Sequence, residues 1–393
     1  MLSVLKSKNV PQKTNFKNHT GIDAITGKGN FDIGEYITLL LLDTFSEQNG
    51  YLAFLVKNTV IRNIVNEQIK SKRQIGKFKK YIINAKEEFN VSVDASLLIC
   101  KLNILPEILC TEYNFYTKKQ KNKFGWINNK FVANVTNYET TKNIDGKSPF
   151  VWRQGVKHDT SKVMELERKN EHFINKRNDE FELEDELVYG ILKSSDLKGN
   201  TINKTRKFTI ITQKKIGQET SYIKHKYPKT YRYLSQNIKF FTQRKSSIYK
   251  GKPQFSIFGI GDYSFKPYKV AISGMYKDTK FSLVTPNENK AIMLDDTCYF
   301  IGFEHIEYAI ITQFLLNKQT TQDFIKSISF DDSKRKITKE LLMRIDLYNI
   351  AITLNYQEIE ELKKSISSKT WQSYLIRIKH KEKPKDLFDM MKI

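Results

Sequence analysis

Between residues 31 and 116 the apolar side chains change period repeatedly, and this limits the fold more than any other feature of the sequence. Ile33, Tyr36, Ile37, Leu40, Leu41 and Phe45 recur at helical spacing, and Gly50 follows as a stop signal. Residues 51–56 form a short continuous apolar run, the pattern of a strand buried on both faces of a parallel sheet. Asn58 or Thr59 is positioned to cap a second helix carrying Val60, Ile61, Ile64, Val65 and Ile69. Residues 91–102 predict another buried strand, with residues 108–116 pairing to it across the turn at Pro106. Helix, strand, helix, strand, strand is the closing half of a doubly wound α/β sheet. Such a sheet opens with a strand and a Gly-rich turn that holds its ligand. Nothing before Phe31 has that pattern, so the chain is expected to start in the middle of a domain.

After Phe124 the texture changes, and α/β gives way to α+β. Short strands are predicted at residues 151–156, 208–212, 269–272 and 299–303, separated by long polar loops. Helical patterns return at residues 304–317, 320–328 and 338–345, and a charged helical tail follows Tyr356. The Lys-rich run at residues 118–123 is predicted to be the linker between the two regions.

Lys and Arg number 66 against 43 Asp and Glu, a formal net charge of +23 that calls for a polyanionic partner, nucleic acid first. Twenty-five Phe and twenty Tyr exclude a disordered basic tail, which would be poor in aromatics. Three cysteines exclude a disulfide-stapled scaffold, and without Cys-x-x-Cys or paired His spacing no metal is expected. The longest apolar run, residues 36–42, is far too short to span a bilayer. The N-terminal residues lack a signal-peptide core, so the expected location is the cytoplasm, with no membrane partner.

The sharpest local signal is residues 220–261, which hold nine Lys/Arg, nine Phe/Tyr and no acid. Cations neutralise phosphates while flat rings stack on bases, so this pattern points to nucleic acid; the competing reading is a loop whose rings enter the core. Arg244, Lys245, Lys250 and Lys252 are the leading candidates, with Lys229 and Arg232 behind them. Trp152, Arg153, Gln154 and Lys157 form a second patch, in which Arg and Gln can read base edges bidentately. Lys214, Lys215, Lys266 and Lys269 complete the DNA-binding candidates. The dipeptide His158-Asp159 lacks the further ligands a metal-dependent hydrolase needs. Gly259-Ile260-Gly261 is followed by no helical pattern and predicts a tight turn, and no catalytic residue emerges.

Residues 27–36 (GKGNFDIGEY) and 50–59 (GYLAFLVKNT) resemble the helix and strand that follow the catalytic Asn-Pro-Pro-aromatic motif in adenine-N6 DNA methyltransferases of type II restriction–modification systems. Residues 89–102 are similar to that family's next strand. Residues 152–164, 183–196, 208–215, 227–234, 245–274, 295–300 and 334–338 resemble its target-recognition half in the same order, so the likeness spans about residues 10–350. The resemblance implies an enzyme that binds S-adenosylmethionine and double-stranded DNA, extrudes an adenine and methylates its exocyclic amine. On it, Asn30, Phe31 and Asp32 at the start of the first helix are assigned to the cofactor.

The sequence departs from the family in three respects. Its eight prolines include no adjacent pair, so an Asn-Pro-Pro motif is impossible, and the Gly-rich cofactor loop is missing. Where the family often has a base-stacking aromatic, this chain reads Ile99-Cys100-Lys101. The expected architecture is therefore the closing half of a Rossmann-like methyltransferase sheet over residues 1–120, a mixed target-recognition domain over 121–350 and a basic helical tail over 351–393. The expected function is DNA recognition as the C-terminal part of the enzyme, inactive until a separately encoded N-terminal half is supplied. The alternative is a stand-alone specificity subunit, or a restriction-endonuclease component, without methyl transfer.

Overall fold

Asp32 opens the first helix, α1 (Ile33–Phe45), because its carboxylate accepts from the otherwise unpaired Gly34 N–H at 2.9 Å. The computed structural model describes residues 32–91, 94–275, 279–332 and 335–379. After α1 come β1 (Gly50–Lys57), α2 (Asn58–Ser71), β2 (Ile75–Ile82), α3 (Ala85–Phe89), β3 (Ala95–Leu102), β4 (Leu109–Asn114), β5 (Gln120–Ile127) and β6 (Lys130–Val132). The six strands form one mixed sheet in the order β1-β3-β2-β4-β5-β6. Only β2 and β4 pair in parallel. The i, i+3, i+4 apolar face of α2 lays Val60, Ile61, Ile64 and Val65 on Phe78, Leu98, Cys100 and Phe124 of the sheet.

Three expectations need correction here. β1 is an edge strand, paired antiparallel to β3 alone, and its alternate residues Tyr51 and Leu55 are 66% and 46% exposed. A continuous apolar run did not mean burial on both faces. β4 pairs with β2 and β5, not with β3, since β2 carries a period-2 pattern whose outward lysines hide it in the sequence. The Lys-rich run expected as a linker is the β4–β5 turn and the first half of β5.

Chain contacts divide the molecule into two compact units, Met1–Thr140 with Lys326–Ser333, and Thr141–Ile325 with Lys334–Ile393. The later segment returns to the first sheet through Phe330, whose ring lies 5.6 Å from both Phe124 and Phe131. Arg62 stacks over the same ring and pairs with Asp332 at 2.8 Å.

The second unit holds two sheets. One runs β10 (Glu180–Phe181), β9 (His172–Asn175), β8 (Glu165–Lys169), β13 (Lys207–Ile210), β11 (Val188–Leu192), β16 (Met293–Leu294). The other runs β12 (Thr201–Ile202), β15 (Ser282–Val284), β14 (Tyr268–Ser273), β17 (Cys298–Phe303), β7 (Arg153–Gln154). Part of the expected tail packs into the second unit. In α7 (Ser368–Lys379) Trp371, Tyr374 and Ile378 share a buried face, and the Tyr374 hydroxyl meets Thr312 Oγ1 at 2.8 Å. Among the described residues no helix is long and apolar enough to cross a membrane.

Gly155 stitches the two sheets together. Its N–H donates to Cys298 of β17, Val156 N–H donates to Leu294 of β16, and Lys157 and Phe258 exchange both backbone hydrogen bonds. A Cβ at residue 155 would sit 2.2 Å from the Leu294 and Asp295 carbonyl oxygens, and one at Gly259, which has φ +67°, would sit 2.1 Å from the Gly155 oxygen. The tight turn expected at Gly259 is thus present. Gly155→Ala is expected to destabilise the second unit by about 3 kcal/mol or more through backbone overpacking, read as a lower midpoint in urea unfolding.

Candidate nucleic-acid interface

The acid-free segment folds into three short helices, α4 (Tyr222–Lys226), α5 (Pro228–Gln236) and α6 (Ile238–Thr242), followed by a loop that returns to Gly155. Pro228 starts α5, where no N–H is needed. The Glu184 carboxylate then accepts from the Lys229 and Thr230 N–H groups at 2.8 and 2.9 Å. Partial burial raises the Glu184 pKa, but the hydrogen bonds from Thr230 and Lys229 outweigh it and hold the carboxyl below its usual range. The helix period turns Tyr233 and Leu234 inward and Arg232 outward. Tyr233 stacks on Phe181 at 3.7 Å and donates to the Val163 carbonyl at 2.8 Å.

The rings and the cations of this segment have parted. Tyr227, Tyr233, Phe241 and Phe255 are core residues, and Tyr222, Tyr231 and Phe240 pack against the same cluster. The competing reading, a segment whose aromatics reach inward, thus describes Tyr233, Phe241 and Phe255, whereas Tyr222 and Tyr227 also line a cleft. Six of the nominated cations, Lys214, Lys215, Arg232, Lys245, Lys250 and Lys252, are exposed and make no ion pair among the described residues. Lys224, Lys226 and Lys239, not singled out in the sequence, also lie in this segment.

Other nominations have structural partners. Trp152 is 1% exposed and sits in the core against Phe281, so it cannot meet DNA. Lys269 is fully buried, its ammonium donating to the Lys266 carbonyl at 2.7 Å, and burial alone pulls its pKa down to about 7. Arg244 is spent internally: its guanidinium lies 3.6 Å over the Tyr249 ring and donates to the carbonyls of Phe241 and Ser256. Gln154 donates to the Asp296 carbonyl, and Arg153 stacks over Tyr263 at 4.7 Å. Lys157 pairs with Asp159 and Asp296, Lys229 with Glu182 and Lys266 with Glu304.

Asp32 is engaged within the fold, one carboxylate oxygen capping α1 and the other taking the Lys57 ammonium at 2.5 Å, while Asn30 and Phe31 lie outside the described residues. No cluster of three or more metal-binding side chains occurs among the described residues. All three thiols are buried, and burial pushes Cys100 up to about 12, leaving it protonated and inert. The buried carboxylate Glu165 is met by Lys176 at 2.6 Å and Lys193 at 2.5 Å, an arrangement that sequence reading missed because the two lysines follow the ends of different strands, β9 and β11. Burial raises the Glu165 pKa, and the two ammonium groups more than reverse that.

His158 is a core histidine. Its Nδ1 accepts from the Thr160 N–H at 3.2 Å, which requires the neutral ring, and burial lowers its pKa to about 4. Unfolding restores a value near 6.5, so the unfolded chain binds the extra proton between those two values and stability falls as pH drops from 6.5 to 4. The full loss is about 3 kcal/mol. Thermal unfolding between pH 7 and 4 should show this decline, and His158→Asn, which keeps an acceptor and cannot titrate, should flatten it.

No family model matches the sequence. The type II methyltransferase M.NspV of Nostoc sp. is 38% identical over 349 residues, covering 88% of this chain and 73% of that protein. Among solved structures, the type IIL restriction-modification enzyme MmeI in complex with DNA matches 90% of this chain with a TM-score of 0.51 and 12% identity, a likeness of fold. The chain spans about half of that enzyme, 48%. The type IIG restriction endonuclease BpuSI matches 84% of this chain and 44% of its own at 12% identity, with a TM-score of 0.33, too low to bear on the fold. Identity of 38% sustained through both compact units is shared descent, not shared architecture alone: this chain belongs to the type II methyltransferases of restriction–modification systems.

Proposed function

We propose that this chain is the DNA-recognising C-terminal part of a site-specific adenine-N6 DNA methyltransferase of the cytoplasm. In this reading the second unit recognises the target, and the first sheet is the closing half of a Rossmann-like S-adenosylmethionine-dependent domain. The observation that carries DNA binding is the set Lys214, Lys215, Arg232, Lys245, Lys250 and Lys252, exposed ammonium and guanidinium groups that no carboxylate among the described residues neutralises. Phosphate oxygens supply that missing charge, and release of condensed counterions supplies the free energy.

Methyl transfer needs polypeptide bearing the Asn-Pro-Pro motif and a Gly-rich loop, and an edge of the first sheet is suited to receive it. The outer edge of β1 has no strand partner among the described residues. Ile37, Leu40 and Phe45 of α1 and Tyr51 and Leu55 of β1 are exposed beside it. An open strand edge with apolar neighbours is the surface that a further strand and helix cover. The residues described hold no cradle for S-adenosylmethionine, so no chemical step is assigned to them.

Two measurements test this reading. If the six cations each contact phosphate, log affinity for a duplex containing the target should fall against log salt with a slope of about −5, at ~0.9 per contact. Lys250→Glu should weaken binding to all duplexes alike and make the slope shallower by about 1; a flat salt response defeats the DNA-binding reading. With methyl-labelled S-adenosylmethionine and DNA, the purified chain should transfer no methyl group until a polypeptide carrying the motif is added. Transfer by the chain alone would refute the split. Tight, selective binding with no transfer under either condition would favour a specificity subunit instead.

A further inference from the structure

The second unit contains a cleft of about 620 Å³ whose rings the DNA-binding reading above does not use, although it shares Lys214 with that reading. It lies where the end of β11's approach, the loop after β13 and helix α4 converge, and its volume falls within the roughly 300–1,000 Å³ of small-ligand sites. Four rings wall it, Tyr189, Tyr222, Tyr227 and Phe265, arranged as two edge-to-face pairs. Tyr189 and Phe265 are 5.7 Å apart at 74°, and Tyr222 and Tyr227 are 6.2 Å apart at 80°. Leu187 and Ile211 also line it.

Three lysines border these rings, and they differ in their commitments. The Lys290 ammonium lies 4.3 Å over the Tyr189 ring and donates to the Asp185 carbonyl, with Glu186 nearby. Lys214 and Lys226 have no carboxylate partner among the described residues. The Tyr222 hydroxyl is fixed by donation to the Thr212 carbonyl at 3.1 Å, which holds its ring in place. Burial, with Tyr227 as a lesser cause, raises the Tyr189 and Tyr222 pKa values, so both present neutral ring faces.

We propose that this cleft binds an unstacked nucleobase carrying a phosphate, the base lying among the tyrosine rings and the phosphate at Lys214 and Lys226. Every base has a flat face that aromatic side chains accept, and the two unneutralised ammonium groups of the lining favour an anion. Glu186, also in the lining, offsets the charge of Lys290, so Lys214 and Lys226 are the cations left for the phosphate. Two sources could deliver this ligand, a free nucleotide or a nucleotide extruded from a bound duplex. The second source rests on the duplex-binding reading above, whereas the first does not.

The test is calorimetric titration of the full chain with adenosine 5′-monophosphate, adenosine and inorganic phosphate, alongside duplexes carrying 2-aminopurine at successive positions. The expected result is saturable binding of the monophosphate, at least tenfold weaker binding of adenosine and of phosphate, or a twofold or greater change in 2-aminopurine fluorescence at one position of the duplex. Tyr189→Ala and Lys226→Glu should each abolish whichever response is found. Lys226 is at the surface, so its variant should fold even where the ring deletion does not. A response from the monophosphate identifies a free nucleotide and one from the duplex alone an extruded one, and both support the site. Inorganic phosphate binding as tightly as the monophosphate overturns it. So do duplex binding with neither response, which leaves the DNA-binding reading intact, and responses that survive both variants.

Discussion

The second unit depends on backbone meeting backbone at Gly155. Around this residue a two-residue strand joins the five-stranded sheet, a parallel bridge from Val156 to Asp295 reaches the six-stranded one, and Lys157 pairs with Phe258. Only a residue without Cβ lets the carbonyls of Leu294 and Asp295 come so near. The loop bearing Lys245, Lys250 and Lys252 hangs from this seam. Arg244 fastens one end of that loop to the Ser256 carbonyl, and Phe258 fastens the other to Lys157. A basic loop of this kind would otherwise be spread by its own like charges; here neutral backbone acceptors hold its ends and leave the ammonium groups facing water.

Charge is sorted by depth. Two carboxylates that lie deep have partners within the fold: Glu165 two ammonium groups, and Asp295 the N–H and hydroxyl of Thr297. Desolvation makes an unpaired charge in such positions expensive, so acids inside must recruit partners. The net +23 therefore cannot be hidden, and much of it faces water on short helices and loops with no acid near. A surface of that kind gains more from a polyanion than from any internal contact.

Several elements were legible in the sequence, although β2 and the three short helices between residues 222 and 242 were not. The α1 and α2 spacing, and the strands at 208–212, 269–272 and 299–303, lie where the apolar pattern put them, within a residue or two at either end. Pairing was not legible, because a strand's partner depends on contacts far along the chain. The apolar run of β1 looks internal yet lies at an edge, and the lysines of β2 disguise a strand in the middle of the sheet. Among the residues nominated for DNA, Lys214, Lys215, Arg232, Lys245, Lys250 and Lys252 are exposed, whereas Trp152 and Lys269 are buried and Arg244 is engaged within the fold. An aromatic, a lysine and an arginine have the same letters whether they face DNA or fill a core, and here buried acceptors and ring faces claimed them.

By itself the sequence determined the charge balance, the absence of adjacent prolines and the succession of apolar periods, all local or additive properties that no folding can alter. Tertiary structure alone decided which cations stay free, because neutralisation depends on distance in space. It also decided the cleft, since Tyr189, Tyr222 and Lys290 are spread over about a hundred residues of sequence and meet in one lining only when β11, α4 and the loop before β16 pack on a common core.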